Sequence, residues 1–217
     1  MIEAKPQPSL SVRPLEPDDA PAVALIQRTQ WRNSLRRATT LDELEVDEVL
    51  PSASPLESAW SSTLLHPAPT ASIALLGLVG DKPSGFATAV PAVQADPSAA
   101  RATPATQGNP HNDSAHESIR NSTHSHSSTH VMEITSFGIQ AQGPQSLTLA
   151  TLIMDALAEE SADSGFSELQ IWAFAGDDGV TRFLSAQGFA PTGYRRRFQI
   201  GAGSATQHLW HVHIETM

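Results

Sequence analysis

The sequence predicts an α/β domain, because segments with strand and helix periodicity alternate along the chain and two hairpins accompany them. The central stretch, His130 to Phe189, reads as strand, loop, helix, strand and helix. One hairpin is predicted from Ser72 to Val90 around a Gly-Asp-Lys-Pro turn, and another from Gly193 to Met217 around a Gly-Ala-Gly-Ser turn. Where the central strand enters its helix, unpaired backbone N–H groups and the helix dipole predict an anion site.

Length and composition indicate one domain over residues 1–217 with a single insertion. The 217 residues are 40% hydrophobic, which is enough for a core. The absence of cysteine excludes disulfides and thiolate metal sites and fits the cytoplasm. No apolar run approaches the roughly 20 residues that cross a bilayer, and the first ten residues lack a signal-peptide pattern. A net charge of −10 argues against nucleic acid as a partner, and we interpret Arg195-Arg196-Arg197 as the solvated side of a strand.

The first third of the chain predicts a short strand and two helices. Ser9 to Arg13 reads as the strand, and the segment from Pro14 to Asp19 opens a helix. One face of that helix carries Val23, Ile26, Gln27 and Trp31. Trp31 admits two interpretations, a core residue or a wall of a substrate cleft. Thr40 to Leu50 is predicted to be a loop with a helical turn, and Pro55 to Leu65 a second helix.

The segment at about 94–129 differs in composition from the rest. It is rich in Ala, Ser, Thr, Pro, Asn and His and has almost no large apolar residue, which predicts a disordered insertion. It contains four histidines, His111, His116, His124 and His126. Zinc binding by these imidazoles is one interpretation and a polar linker is the other, since the spacing matches no compact ligand pattern.

The central stretch begins with a strand from Val131 to Ala141 and a loop at residues 142–145. A helix follows to about Ser164, with an apolar face of Leu149, Leu152, Ile153, Ala156 and Leu157. The next strand, Glu168 to Phe174, alternates, and its Leu169, Ile171 and Ala173 share one face. Asp177 is the predicted N-cap of the last helix, in which Val180, Phe183 and Leu184 face inward.

The final hairpin has predicted arms at Arg195 to Ile200 and Gln207 to Glu215. In its second arm, His211 and His213 share a face. Two histidines at this spacing on a strand could ligate a metal, or they could be the exposed side of an edge strand.

The order of these elements resembles the GCN5-related N-acetyltransferase superfamily. Four local patterns carry the resemblance: Arg13-Pro14 with Asp18-Asp19-Ala20 before the first helix; Ser84-Gly85-Phe86-Ala87; Glu133-Ile134 with Phe137-Gly138-Ile139; and Leu169, Ile171 and Trp172 followed by Phe183 and Gly188-Phe189. The resemblance covers nearly the whole chain apart from the insertion. It implies a mixed, mostly antiparallel sheet of six to seven strands with about four helices, splayed between the fourth and fifth strands.

The resemblance also implies acetyl-CoA as acyl donor, bound without a metal. The family's diphosphate loop, Q/R-x-x-G-x-G/A, is matched by Gln145, Ser146, Leu147, Thr148, Leu149 and Ala150, with Thr148 in place of the central glycine. Phe137, Gly138 and Ile139 would offer backbone groups to the pantetheine arm. Asp177 and Phe183 take the positions of further coenzyme contacts. Trp31 would line the acceptor cleft.

The implied reaction is direct attack of an acceptor amine on the thioester, with Glu133 as candidate base. The acceptor is a small-molecule or peptide amine that the sequence does not identify, and a homodimer stays open. The family often places a tyrosine acid where this chain has Leu184. This departure favours an alternative, a catalytically impaired relative that acts as a coenzyme-binding or protein-interaction module. A metal-binding module that uses the histidines of the insertion is the third interpretation.

Overall fold

Strand alternation and helical spacing place most elements where the sequence predicts them. A computed structural model of the protein describes residues 8–66, 71–92 and 130–215. Its strands are β1 (Leu10–Pro14), β2 (Ile73–Val79), β3 (Lys82–Pro91), β4 (Val131–Ile139), β5 (Glu168–Phe174), β6 (Ala190–Ile200) and β7 (Gly203–His213). Its α-helices are α1 (Ala20–Ala38), α2 (Glu43–Val49), α3 (Ala53–Leu65), α4 (Pro144–Asp163) and α5 (Asp178–Ala186). The predicted insertion and its four histidines lie outside the described residues.

The seven strands form one sheet in the order β1-β2-β3-β4-β5-β7-β6. Neighbouring strands are antiparallel except β4 and β5, which are parallel. The mixed, mostly antiparallel seven-stranded architecture predicted from the sequence is therefore confirmed. Among the described residues, no helix combines the length and apolarity needed to cross a bilayer.

The core occupies both faces of the sheet. On one face, α4 packs over β1–β4 and buries Leu149, Ile153 and Leu157 completely. On the other, α1 packs Val23 and Ile26 against Leu76 and Phe86.

Two glycines set how closely α4 approaches the sheet. Gly77 and Gly85 are paired across β2 and β3. A Cβ at Gly77 would lie 2.5 Å from Ile153 Cδ1, and one at Gly85 would lie 2.9 Å from the same atom. Because both positions lack a side chain, Ile153 enters the space between them. This contact holds the whole of α4, including its N-terminal turn, close to β2 and β3.

An ion pair fixes the start of α1. Arg13 donates two bonds to Asp19, at 2.7 and 2.8 Å, and the backbone N–H of Glu16 donates to the same carboxylate at 2.8 Å. The Arg13 guanidinium lowers the pKa of Asp19, although burial opposes it. The helix that carries Gln27 and Trp31 is thereby tied to β1.

At Thr40 to Leu50, where a loop with a helical turn was predicted, the structure has a seven-residue helix, α2, which brings the number of α-helices to five among the described residues. Asp42 accepts from the backbone N–H groups of Leu44 and Glu45, and the Glu45 carboxylate accepts from the N–H of Asp42. This reciprocal capping stabilises a seven-residue helix that buries Val46.

Smaller differences concern α4 and the final hairpin. α4 begins at Pro144, so Gln145 lies in the helix and not in the preceding loop. Leu152 was predicted to be on the apolar face but is 36% exposed, and Met154 is buried in its place. One interpretation of His211 and His213 placed them on an edge strand, but β7 lies between β5 and β6, and β6 is the edge. The three consecutive arginines of β6 are exposed, as predicted.

Candidate active site

β4 and β5 separate halfway along their length. Their parallel pairing runs from Val131 opposite Glu168 to Ile134 opposite Ile171 and stops there. The remainder of β4 still pairs with β3, and the remainder of β5 still pairs with β7. The register of β4 against β3 shifts between Thr88 and Ala89, so Thr135 is an extra residue in β4 at the point of separation. The bulge therefore coincides with the opening between the strands.

The free edge of β4 offers backbone groups to this opening. The N–H of Gln140 donates to Ser84 O on β3 at 2.8 Å. The carbonyl oxygen of Gly138 also points at β3, since it lies 3.2 Å from the Cβ position of Gly85. Neighbouring residues of a strand direct their backbone groups to opposite sides. The N–H and C=O groups of Phe137 and Ile139 therefore face the opening.

A small cavity of about 110 Å³ occupies the opening. It is bounded by residues of α1, β4, β5 and the start of α5, among them Trp31, Ser136, Trp172 and Asp177. A larger cavity of about 710 Å³ lies beside it, between α1, α3 and the sheet, and its wall is mainly apolar, with Leu56, Trp60 and Ile73.

The two cavities share three lining residues, Trp31, Thr135 and Ser136. A group bound in the larger cavity would thus be adjacent to a group bound in the opening between β4 and β5. A site for two substrates needs this adjacency, because bond formation requires that the reacting atoms approach to about 3–3.5 Å.

A buried amide positions the shared wall. Gln27, only 7% exposed, donates from Nε2 to Ser136 Oγ at 3.2 Å. Its Oε1 accepts from Trp60 Nε1 at 2.7 Å. This chain joins α3, α1 and β4, so the Ser136 hydroxyl is held at the junction of the cavities.

The predicted diphosphate site lies at the start of α4. Gly143 is the N-cap, with a positive φ of 67° and no side-chain cap, and a Cβ added there would meet no atom of a non-neighbouring residue within 4 Å. Gln145 and Ser146 are in the first turn, and the Ser146 N–H donates to Gly143 O at 3.1 Å. Leu147 and Thr148 are exposed, whereas Leu149 and Ala150 are buried. Leu149 and Ala150 lie beyond the first turn of α4, where backbone N–H groups bond within the helix, and their side chains belong to the core. Neither cavity is lined by residues 145–150.

Two aromatic residues stack beside the opening, where Phe137 lines the small cavity. The rings of Phe137 and Phe183 stack with centroids 5.6 Å apart and planes 5° apart. They connect β4 to α5. Leu184 is fully buried in the main core, so no proton donor occupies the position where the superfamily often has tyrosine.

Asp177 is the N-cap of α5, as predicted, and its carboxylate faces α1. It accepts from Ser34 Oγ at 2.6 Å, from Arg37 Nη1 at 3.0 Å and from the Val180 N–H at 3.4 Å. The residue is 1% exposed. Its oxygens are occupied by protein donors, so its predicted coenzyme contact would have to come from its backbone.

Glu133 lies on the last paired segment of β4 and accepts from Gln170 Nε2 at 3.0 Å. It lines neither cavity. Arg196 stacks over Trp172, with Cζ 4.3 Å from the ring centroid. Burial lowers the pKa of Arg196, while the negative charge of Glu133 opposes that shift.

The sequence analysis did not identify Thr135, Ser136 and Gln27 as residues of this site. The signal available was two adjacent hydroxyl side chains in a strand whose other residues, apart from Glu133, are apolar. Their importance depends on the bulge at Thr135, which follows from pairing with β3.

Comparisons with known proteins identify similar folds but no similar sequences. No family model matches the sequence, and no curated protein matches it. Solved structures do match. A GNAT-family acetyltransferase from Streptococcus pneumoniae has a TM-score of 0.55 at 18% identity, covering 95% of this chain and 100% of that chain. Arabidopsis thaliana NAA60, in complex with a bisubstrate analogue, has a TM-score of 0.61 at 11% identity, covering 96% and 100%.

A third match is yncA from Salmonella typhimurium with its cofactor acetyl-CoA, with a TM-score of 0.56 at 11% identity and 95% coverage of both chains. These matches agree with the parallel β4–β5 pair within an otherwise antiparallel sheet. The chain has the fold of the GCN5-related N-acetyltransferases.

Proposed function

We propose that the protein is a member of this superfamily and an N-acetyltransferase that moves the acetyl group of acetyl-CoA to an acceptor amine. The observation that carries the proposal is the separation of β4 and β5 after Ile134 and Ile171, next to a second cavity that shares Trp31, Thr135 and Ser136. The thioester would lie along the free backbone groups of Phe137 and Ile139. The diphosphate would lie at the first turn of α4, near Gln145 and Ser146.

In the proposed reaction, the amine nitrogen attacks the thioester carbonyl carbon, an N–C bond forms and the C–S bond breaks. A backbone N–H of the free β4 edge stabilises the oxyanion. The nitrogen loses a proton and the coenzyme A thiolate gains one. The acceptor occupies the larger cavity, whose mainly apolar wall favours an amine with an aryl or alkyl body.

The test is an acetylation assay that monitors release of free coenzyme A with a panel of amines, combined with thermal shift in acetyl-CoA. We expect stabilisation by acetyl-CoA, and turnover with aryl-alkyl amines or peptides that have apolar side chains. Stabilisation without turnover on any amine would support the alternative, a coenzyme-binding module, which the buried Leu184 favours. If acetyl-CoA gives no stabilisation and no amine is turned over, both the acetyltransferase and the coenzyme-binding module are contradicted.

Glu133 remains the proposed base. It lies two residues before Thr135, and since it lines neither cavity, the proton would reach it through water. Glu133→Gln is expected to lower kcat by about 100-fold or more and to flatten the acidic limb of the pH–rate profile. The control is Gln170→Met, which removes the amide bonded to Glu133 but keeps the carboxylate. An unchanged profile in Glu133→Gln would exclude Glu133 from this role.

A further inference from the structure

Two histidines and a carboxylate converge on the face of the sheet that α1 covers, at the end of β5 away from the opening. Glu168 is the first residue of β5 and pairs directly with His213 of β7. His211 lies two residues earlier on β7, so its side chain is on the same face. Directly opposed residues of antiparallel strands have Cβ atoms about 4.5–5.5 Å apart. The backbone register alone therefore brings the three side chains together.

The donor atoms are close enough to share one ion. His211 Nδ1 is 3.0 Å from Glu168 Oε1, and His213 Nδ1 is 3.9 Å from Glu168 Oε2. One ligand atom from each residue lies within 4.8 Å of the others. Tetrahedral ligands at zinc distances are about 3.4 Å apart, a value between the two measured separations. The His213 side chain is 74% exposed, so it can rotate the short remaining distance.

The geometry places all three side chains side by side. The Glu168 side chain is 16% exposed, and the rings of His211 and His213 lie with their centroids 5.6 Å apart. A metal ion can take one donor atom from each ring and one from the carboxylate.

We propose that Glu168, His211 and His213 bind a divalent cation of the zinc class that clamps β7 to β5. Imidazole and carboxylate donors suit Zn²⁺, whereas Mg²⁺ and Ca²⁺ prefer oxygen donors alone. Three protein ligands leave a coordination position for water. This proposal departs from the expectation that the protein binds no metal. The site lies outside the opening, because Glu168 is three residues before Ile171, about 10 Å along the strand. Its His211 pairs with Gln170, which donates to the proposed base Glu133.

The test is titration of the chelator-treated full chain with Zn²⁺, followed by calorimetry, and with Co²⁺, followed by visible absorbance. His211→Ala, His213→Ala and Glu168→Gln are expected to weaken Zn²⁺ binding by at least about 100-fold each. His208→Ala is the matched control, because His208 is an exposed histidine on the opposite face of β7, and it is expected to bind Zn²⁺ within twofold of the unchanged protein. Mg²⁺ is expected to give no heat of binding at the same site.

The histidines of the insertion require a separate variant, in which His111, His116, His124 and His126 are all replaced by Ala. This variant is expected to retain the site with one Zn²⁺ per chain and to melt about 5–10 °C higher when Zn²⁺ is present at 100 times Kd. Loss of all Zn²⁺ binding in this variant would overturn the proposal. Unchanged binding when each of the three site variants is combined with this one would overturn it too. Weakened binding supports the proposal when the metal-free melting temperature of the variant matches that of the unchanged protein.

Discussion

Replacing Ser146 by Glu is expected to weaken acetyl-CoA binding by about 10–100-fold, because it places a carboxylate beside the proposed diphosphate. Ser146 is in the first turn of α4 and is partly exposed, so the longer side chain can be accommodated. A negative charge at a helix N-terminus is stabilising by about 0.3–1 kcal/mol, so the fold should be unaffected or slightly stabilised. The affinity is measured by calorimetry, and the melting temperature by differential scanning fluorimetry.

Ser146→Glu is expected to lower the affinity for acetyl-CoA without lowering the melting temperature, and this combination separates a lost contact from misfolding. A variant that binds acetyl-CoA poorly because it is misfolded would also melt at a lower temperature. Ser146→Gln is the control, since it has nearly the same shape without the charge and should retain most of the affinity. The difference between Glu and Gln should shrink at high salt, because salt screens exposed charges. Equal affinities of the two variants would place the diphosphate elsewhere.

Replacing Asp177 by Ala is expected to destabilise the protein by about 2–5 kcal/mol. The change removes the N-cap of α5, worth about 0.5–2 kcal/mol, and leaves the buried Ser34 hydroxyl without its charged acceptor, worth about 1.5–3 kcal/mol. The Arg37 pair adds little, because that side chain is 55% exposed. The melting temperature should fall by about 5–10 °C in a thermal scan.

Asp178→Ala is the matched control, because Asp178 is the exposed neighbour and its loss should cost less than about 1 kcal/mol. Asp177→Asn should fall between the two, since the amide can still cap the helix. Acetyl-CoA affinity of folded Asp177→Ala is expected to stay within a few-fold of the unchanged protein. A large loss of affinity at an unchanged melting temperature would instead indicate a direct contact between the carboxylate and the coenzyme.

Local pattern was sufficient to predict much of this fold. The alternation of Leu169, Ile171 and Ala173 is confirmed, because a period of two depends only on neighbouring residues of one strand. The capping signature from Asp42 to Glu45 was also present in the sequence. It was overlooked because α2 is only seven residues long and shows little apolar periodicity.

The candidate site was less predictable, because it depends on contacts between distant segments. The bulge at Thr135 requires pairing with β3, and the position of Ser136 requires Gln27, which is 109 residues away. The orientation of Asp177 depends on Ser34 and Arg37 of α1. The place of β7 between β5 and β6 likewise arises from long-range pairing, which single-strand patterns do not encode.

The position of β7 has a consequence during protein synthesis. β5 pairs with β7, which follows it by about thirty residues in the chain. β5 can therefore complete its backbone hydrogen bonds only after β7 has left the ribosome. A nascent chain released before Gly203 would expose a row of unpaired backbone groups along β5. Such a row is a template for strand addition, so truncated products of this chain should accumulate as aggregates.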